Sequence, residues 1–147
     1  MTDLSIVPEC HVDTKVAEIV GGDGKYNHKH GCGDVAIELE FKLKDRVAIG
    51  IIDEDKNKGS IAKYLFEFDI IKSENNLILK RHRKRKQYLI LICPEIEQWL
   101  LNDAVATNLD IENFGLPKDM KGLKRKTKTQ DIDKDINFYK LILHIFF

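Results

Sequence analysis

The chain has 147 residues, carries 24 basic and 24 acidic side chains and has no formal net charge, a size that fits one domain with a buried core and a balance that excludes a protein whose whole work is coating nucleic acid. Three cysteines, odd in number and widely spaced, favour reduced thiols over a disulfide framework. No run approaches the roughly 20 apolar residues of a membrane span, and Met1-Thr2-Asp3 lacks the basic start of a secretory leader, so a cytoplasmic protein with no membrane partner is expected.

From the N-terminus, Leu4-Ser5-Ile6-Val7-Pro8 is a short apolar run ending at Glu9, which predicts a strand over 4–9. Val12, Val16, Ile19 and Val20 recur at helical spacing between Asp13, read as a cap, and Gly21-Gly22, which predicts a helix over 13–20. The stretch 21–33 reads as irregular, and Gly21 to Lys25 lacks the spacing and the Ser/Thr of a phosphate loop. Within it His28, His30 and Cys32 are acceptable Zn²⁺ ligands that Cys10 or His11 would complete, although the usual paired spacings are missing. The plainer reading is a glycine-rich loop, and between the two stands contact of His28, Lys29 or His30 with a phosphate or a proton in transit.

The segment 34–44 is ambiguous. Val35, Ile37, Leu39, Phe41 and Leu43 alternate with polar or small residues as in a strand, yet Ala36, Glu38, Leu39, Glu40, Lys42 and Leu43 are good helix formers, and a helix is preferred. Val47 to Ile52 is uncharged and rich in β-branched residues, which predicts a strand over 46–53 buried on both faces of a parallel sheet. It ends in Asp53-Glu54-Asp55-Lys56. Ligands collect at the carboxyl ends of strands in open α/β sheets, and residues i and i+2 of an extended chain point the same way, so Asp53 and Asp55 converge on one hard cation while Glu54 faces elsewhere. The plainer alternative is a solvated strand end.

A helix through Ile61, Leu65 and Phe66 follows. Strands near Leu77-Ile78-Leu79 and over 88–93 flank a dense cationic run and predict a hairpin with a long basic loop. Lys80, Arg81, Arg83, Lys84, Arg85 and Lys86 are its candidate nucleic-acid contacts, because a run of like charges gains from an anionic partner. Lys118 to Lys128 is a second basic stretch. Between the two, Pro94, Glu95 and Glu97 mark the start of a helix over 95–105. Ile132, Ile136, Tyr139, Leu143 and Phe146 recur at helical spacing and the chain ends apolar, so this last helix docks on the domain, pairs in a homodimer or with a partner protein, or belongs to a larger domain.

A strand ending in a single Glu and leading into a helix, followed by a strand ending in D-x-D, resembles the toprim domain of topoisomerases, primases and small nucleases. Glu97-Gln98-Trp99-Leu100-Leu101 is similar to the E-x-W-L-L segment of small stand-alone toprim-like proteins of prokaryotes, several of them linked to phage defence. The resemblance covers roughly residues 4–103. It implies an α/β fold with a toprim-like (Rossmann-like), mostly parallel sheet flanked by helices, and its order of elements also favours a helix over 34–44; the patterns above add a β-hairpin and a C-terminal helical segment. A metal-binding domain over 1–110 and a helical extension over 111–147 are expected.

By the same resemblance Glu9, Asp53 and Asp55 are catalytic, with Lys56 neutralising developing charge, and Glu9, Asp53, Asp55 and Glu97 hold Mg²⁺ or Mn²⁺. Where the family usually places a small residue after the glutamate, this chain has Cys10-His11. The expected function is a metal-dependent nuclease or related phosphotransfer enzyme acting on nucleic acid. The alternative is a non-catalytic module that binds nucleic acid or protein. Topoisomerase and primase activities are not expected without their further domains, and a receiver-like domain phosphorylated on Asp53 ranks last because Glu9 stands alone at the first strand end.

Overall fold

The uncharged run around residue 50 becomes an interior strand of the main sheet because it has apolar side chains for both faces. In the computed structural model, which describes residues 2–22, 24–54 and 60–146, the chain opens with β1 (Thr2–Asp3), β2 (Ile6–Pro8) and α1 (His11–Val20). β3 (Lys25–Tyr26) and α2 (Cys32–Ile37) follow, and α2 runs into a π-helical turn (Glu38–Lys42) before β4 (Ala48–Asp53). A 3-10 helix (Ser60–Glu67) leads to three strands in succession, β5 (Phe68–Glu74), β6 (Leu77–His82) and β7 (Gln87–Ile92). The remainder is helical, with α3 (Ile96–Ala106), α4 (Met120–Thr127) and α5 (Ile136–Phe146) separated by 3-10 turns.

The main sheet has the order β2-β4-β7-β6-β5. β2, β4 and β7 run parallel, whereas β7–β6 and β6–β5 pair antiparallel. The sheet is therefore mixed, and the expectation of a mostly parallel one is corrected. The cause lies in the connections: strands joined by tight turns must be antiparallel, and only crossovers make parallel neighbours. Asn75 and Asn76, both at positive φ (51° and 59°), form the turn between β5 and β6, a conformation that asparagine tolerates and that matches hairpin twist. The basic run is correspondingly short as a loop, since Lys80, Arg81 and His82 belong to β6.

Helical structure does follow β3. Val35, Leu39 and Leu43 are buried while Ile37 and Phe41 face outward; a strand would put all five on one face, and only a helix separates them in this way. Gly50 lets α2 approach β4, because a Cβ there would stand 2.8 Å from Leu89 Cδ2, 2.9 Å from Val35 Cγ1 and 3.1 Å from Leu39 Cδ1. The fully buried Gln87 ties the same layer together. Its amide donates to the carbonyls of Leu39 (2.9 Å) and Leu43 (2.8 Å), and its oxygen accepts from Tyr64 (2.6 Å).

On the other face of the sheet, α1, α3, α4 and α5 build a second apolar layer through Val16, Trp99, Leu123, Phe138 and Ile142. The apolar end of the chain docks there: Phe138, Leu141 and Ile142 are buried, and Phe146 stacks on Trp99 with ring centroids 5.5 Å apart. No helix among the described residues is long and apolar enough to cross a membrane.

Candidate metal centre

Ladder pairing carries β2 one residue past Pro8, with the Glu9 N–H donating to the Ile51 carbonyl at 2.9 Å. This aims the Glu9 side chain at the end of β4, where its Oε2 accepts the Asp53 N–H at 2.8 Å. Asp53, the last residue of β4, accepts the Ile96 N–H at 3.1 Å through Oδ1, a donor at the positive end of α3. The third carboxylate comes from Asp13. It is not the cap that its sequence position suggested: α1 starts at His11, Cys10 occupies the cap position without a side-chain hydrogen bond, and Asp13 sits in the first turn.

One oxygen each from Glu9, Asp13 and Asp53 lies within 4.8 Å of the others, and the three residues are only 2%, 1% and 4% exposed. Neither oxygen of Asp13 meets an N–H or O–H donor among the described residues, the Cys10 thiol being its one weak donor there. Burial, then the charges of Asp53, Glu9 and Glu97, push the Asp13 carboxyl well above the usual carboxylate range, and the Cys10 thiol works the other way. Burial and Asp13 in turn push the Cys10 thiol up, away from the thiolate form that a nucleophile needs. Three clustered carboxylates out of water require a proton or a cation, and oxygen donors of this kind suit a hard divalent ion.

Glu97 is buried in the first turn of α3 and accepts the Thr127 hydroxyl at 2.7 Å. Its charge reaches Asp13, but its oxygens do not belong to the trio. Glu54 turns away, as expected, and accepts the Cys93 thiol at 3.2 Å. Asp55 and Lys56 lie outside the described residues.

The basic run stands at the wrong end of the sheet for this centre. Gln87 pairs with Ala48 and Ile92 with Asp53, so the loop before β7 is about five residues of strand, roughly 17 Å, from the acids. Part of it is structural: Arg83 donates to the Phe66 carbonyl (2.6 Å) and faces Asp69 (3.5 Å), and Arg85 donates to the Glu40 carbonyl (2.9 Å) and lies over the Tyr64 ring. Arg81 lies over Tyr88. Lys80 is half-buried on β6, while Lys84 and Lys86 are exposed. Nearer the acids is α4, whose Thr127 holds Glu97 and whose Lys124 pairs with Glu95 at 2.7 Å; Lys121, Arg125 and Lys128 are exposed there.

Of the candidate zinc ligands, Cys32 packs into the layer beneath α2 and Lys29 is held by Glu38 at 3.0 Å. Burial, then the neighbouring His11 and His30, hold the His28 imidazole below its usual range. Asp13 is the site residue that sequence reasoning missed. Its signal is the Glu9–Asp13 spacing of four across a strand-to-helix junction. Comparison with known proteins finds no matching family model, no similar curated protein and no similar solved structure.

Proposed function

We propose that this chain is a toprim-like, Mg²⁺- or Mn²⁺-dependent nuclease or related phosphotransfer enzyme acting on nucleic acid phosphodiesters, with Glu9, Asp13 and Asp53 as ligands of the ion. The observation that carries this reading is the convergence of three buried carboxylates, one of which, Asp13, has no N–H or O–H donor for either oxygen among the described residues. A bound ion would orient and acidify a water and stabilise charge on the scissile phosphate.

The chain's own residues prepare the place. The Ile96 N–H fixes Asp53, the Asp53 N–H fixes Glu9, and the Thr127 hydroxyl holds Glu97 behind them. Asp55 and Lys56 keep their proposed roles as a further ligand and a charge-neutralising residue. Lys121 and Arg125 on α4 and Lys128 just past its end supply phosphate contacts beside the centre, while Lys84 and Lys86 reach only a more distant stretch of a long substrate.

One observation favours the non-catalytic module. The trio is so enclosed that an ion held by it has few positions left for substrate, as in a structural site. The two readings separate on titrating Mg²⁺ and Mn²⁺ into the wild type and the Asp13→Asn and Asp53→Asn variants, with bound ion followed by calorimetry and cleavage followed on labelled DNA and RNA. The nuclease is expected to lose cleavage in both variants and to bind ion more weakly by more than the roughly 10- to 100-fold that loss of an outer partner costs. Ion uptake without cleavage of any substrate supports the module, and no uptake by the wild type overturns the site.

A further inference from the structure

His11 stands beside the acid trio in sequence but belongs to a different cluster. Its ring stacks on His28 at 4.4 Å between centroids with 19° between planes, and His30 meets His28 edge-on at 4.8 Å. One ring nitrogen from each of the three lies within 4.8 Å of the others. The fold holds them there. The loop after β3 is laced to the end of β2 by the N–H groups of Asn27, Lys29 and Gly31, which donate to the carbonyls of Ile6, Pro8 and Glu9 at 2.9–3.0 Å. Alternate N–H groups thus face the strand, and the side chains of residues 28 and 30 share a side. Gly31, at φ 108°, then turns the chain into α2.

The hydrogen bonds decide which nitrogen of His28 carries its proton. The Thr14 hydroxyl has one proton and donates it to the Cys10 carbonyl at 2.6 Å, so its oxygen, 2.7 Å from His28 Nδ1, accepts from that nitrogen. In the neutral ring the lone pair is then on Nε2. That atom is buried and has no hydrogen-bond partner among the described residues. A histidine whose Nδ1–H is engaged by a neighbour and whose Nε2 lone pair is free matches the usual state of a metal-ligating imidazole. Beside His11 and His28 opens a cavity of about 500 Å³, with Asp131 and Asp133 also on its wall.

We propose that His11, His28 and His30 bind a transition-metal dication of the Zn²⁺ class through their ring nitrogens, with the fourth position filled by water or a carboxylate from that cavity. Three imidazoles with one position open is a recognised zinc arrangement, and imidazole donors select such ions over Mg²⁺. Zinc–nitrogen bonds of roughly 2.0–2.1 Å place tetrahedral donors closer together than 4.8 Å with converging lone pairs, so on binding the half-buried His11 turns out of its stack on His28 and the exposed His30 changes rotamer. The inference does not depend on the acid centre being catalytic.

The test is titration of Co²⁺, and then Zn²⁺, into the full chain with excess Mg²⁺ present, reading calorimetry and the visible bands of tetrahedral Co²⁺. One equivalent of Co²⁺ is expected, displaced by Zn²⁺. His30→Gln, at an exposed position, should weaken binding more than tenfold. Thr14→Val, which removes the Nδ1 acceptor and leaves every ligand in place, should weaken it by about 10- to 100-fold. Far-UV circular dichroism shows that each variant is folded. No uptake by folded wild type, undiminished uptake by folded His30→Gln, or uptake lost instead in Asp53→Asn or Cys32→Ser overturns the proposal.

Discussion

Asp13 shows how far a single side chain depends on its neighbours. An acid just ahead of an apolar helical pattern looks the same in sequence whether it caps the helix or sits in its first turn, and the two differ only in which N–H groups lie in reach. Here the cap position goes to Cys10 and the carboxylate is spent on the cluster with Glu9 and Asp53. Asp13→Asn puts a permanently neutral group in place of a carboxyl whose charge is disfavoured by burial and the neighbouring acids. It should therefore raise the stability of the metal-free protein by about 1–3 kcal/mol, several degrees in Tm for a chain of this size, while abolishing any Mg²⁺-dependent rise. Thermal melts in chelator and in Mg²⁺ check both halves, and a variant that melts below wild type in chelator would remove the case for repulsion.

Among the elements, β4 matters most, because its position sets that of Asp53. Gly50 is closed in by Leu89, Val35 and Leu39, and Gly50→Ala should cost about 1–3 kcal/mol through overpacking and weaken ion binding by displacing the strand end. Urea denaturation and calorimetry on the same variant read the two effects; stability equal to wild type would mean that α2 yields without cost. Strand β4 was legible because it is apolar on both faces. The strand before the Asn75-Asn76 turn, β5, was not: it is an edge strand with nearly every residue exposed, so burial imposes no alternation on it. The opposite difficulty arose over 34–44, where period-two and period-four readings share Val35, Leu39 and Leu43.

Across the whole molecule, α5 closes the helical layer, and Asp135 holds it in place. That carboxylate accepts the N–H groups of Asn137 and Phe138 at 3.0 Å and pairs with Lys126 of α4 at 3.2 Å. Burial opposes its charge, but these donors prevail and hold it below its ordinary value of 3.8. A depressed folded value stabilises the protein above the unfolded value, and the contribution is lost as pH falls through the folded one. The stability gap between wild type and Asp135→Asn should thus be full at neutral pH and shrink below about pH 3.8, as melts across that range will show. A gap that stayed constant with pH would rule out the charge as its source.

Local pattern was enough to show where strands end in acids and where the amphipathic helices run, because strand and helix periodicity are written in neighbouring residues, while the cap of α1 and the segment 34–44 were left to the fold. Glu9, Asp53 and Glu97 were read in that way. Strand order is different: it follows from which connections cross over and which turn back, and it made the sheet mixed, carried the basic loop to the far end from the acids and left α4 near them. Only the folded chain brought Asp13 to Asp53 and His11 to His28 and His30, since those contacts join residues from different elements and no periodicity in one segment encodes the distance to another.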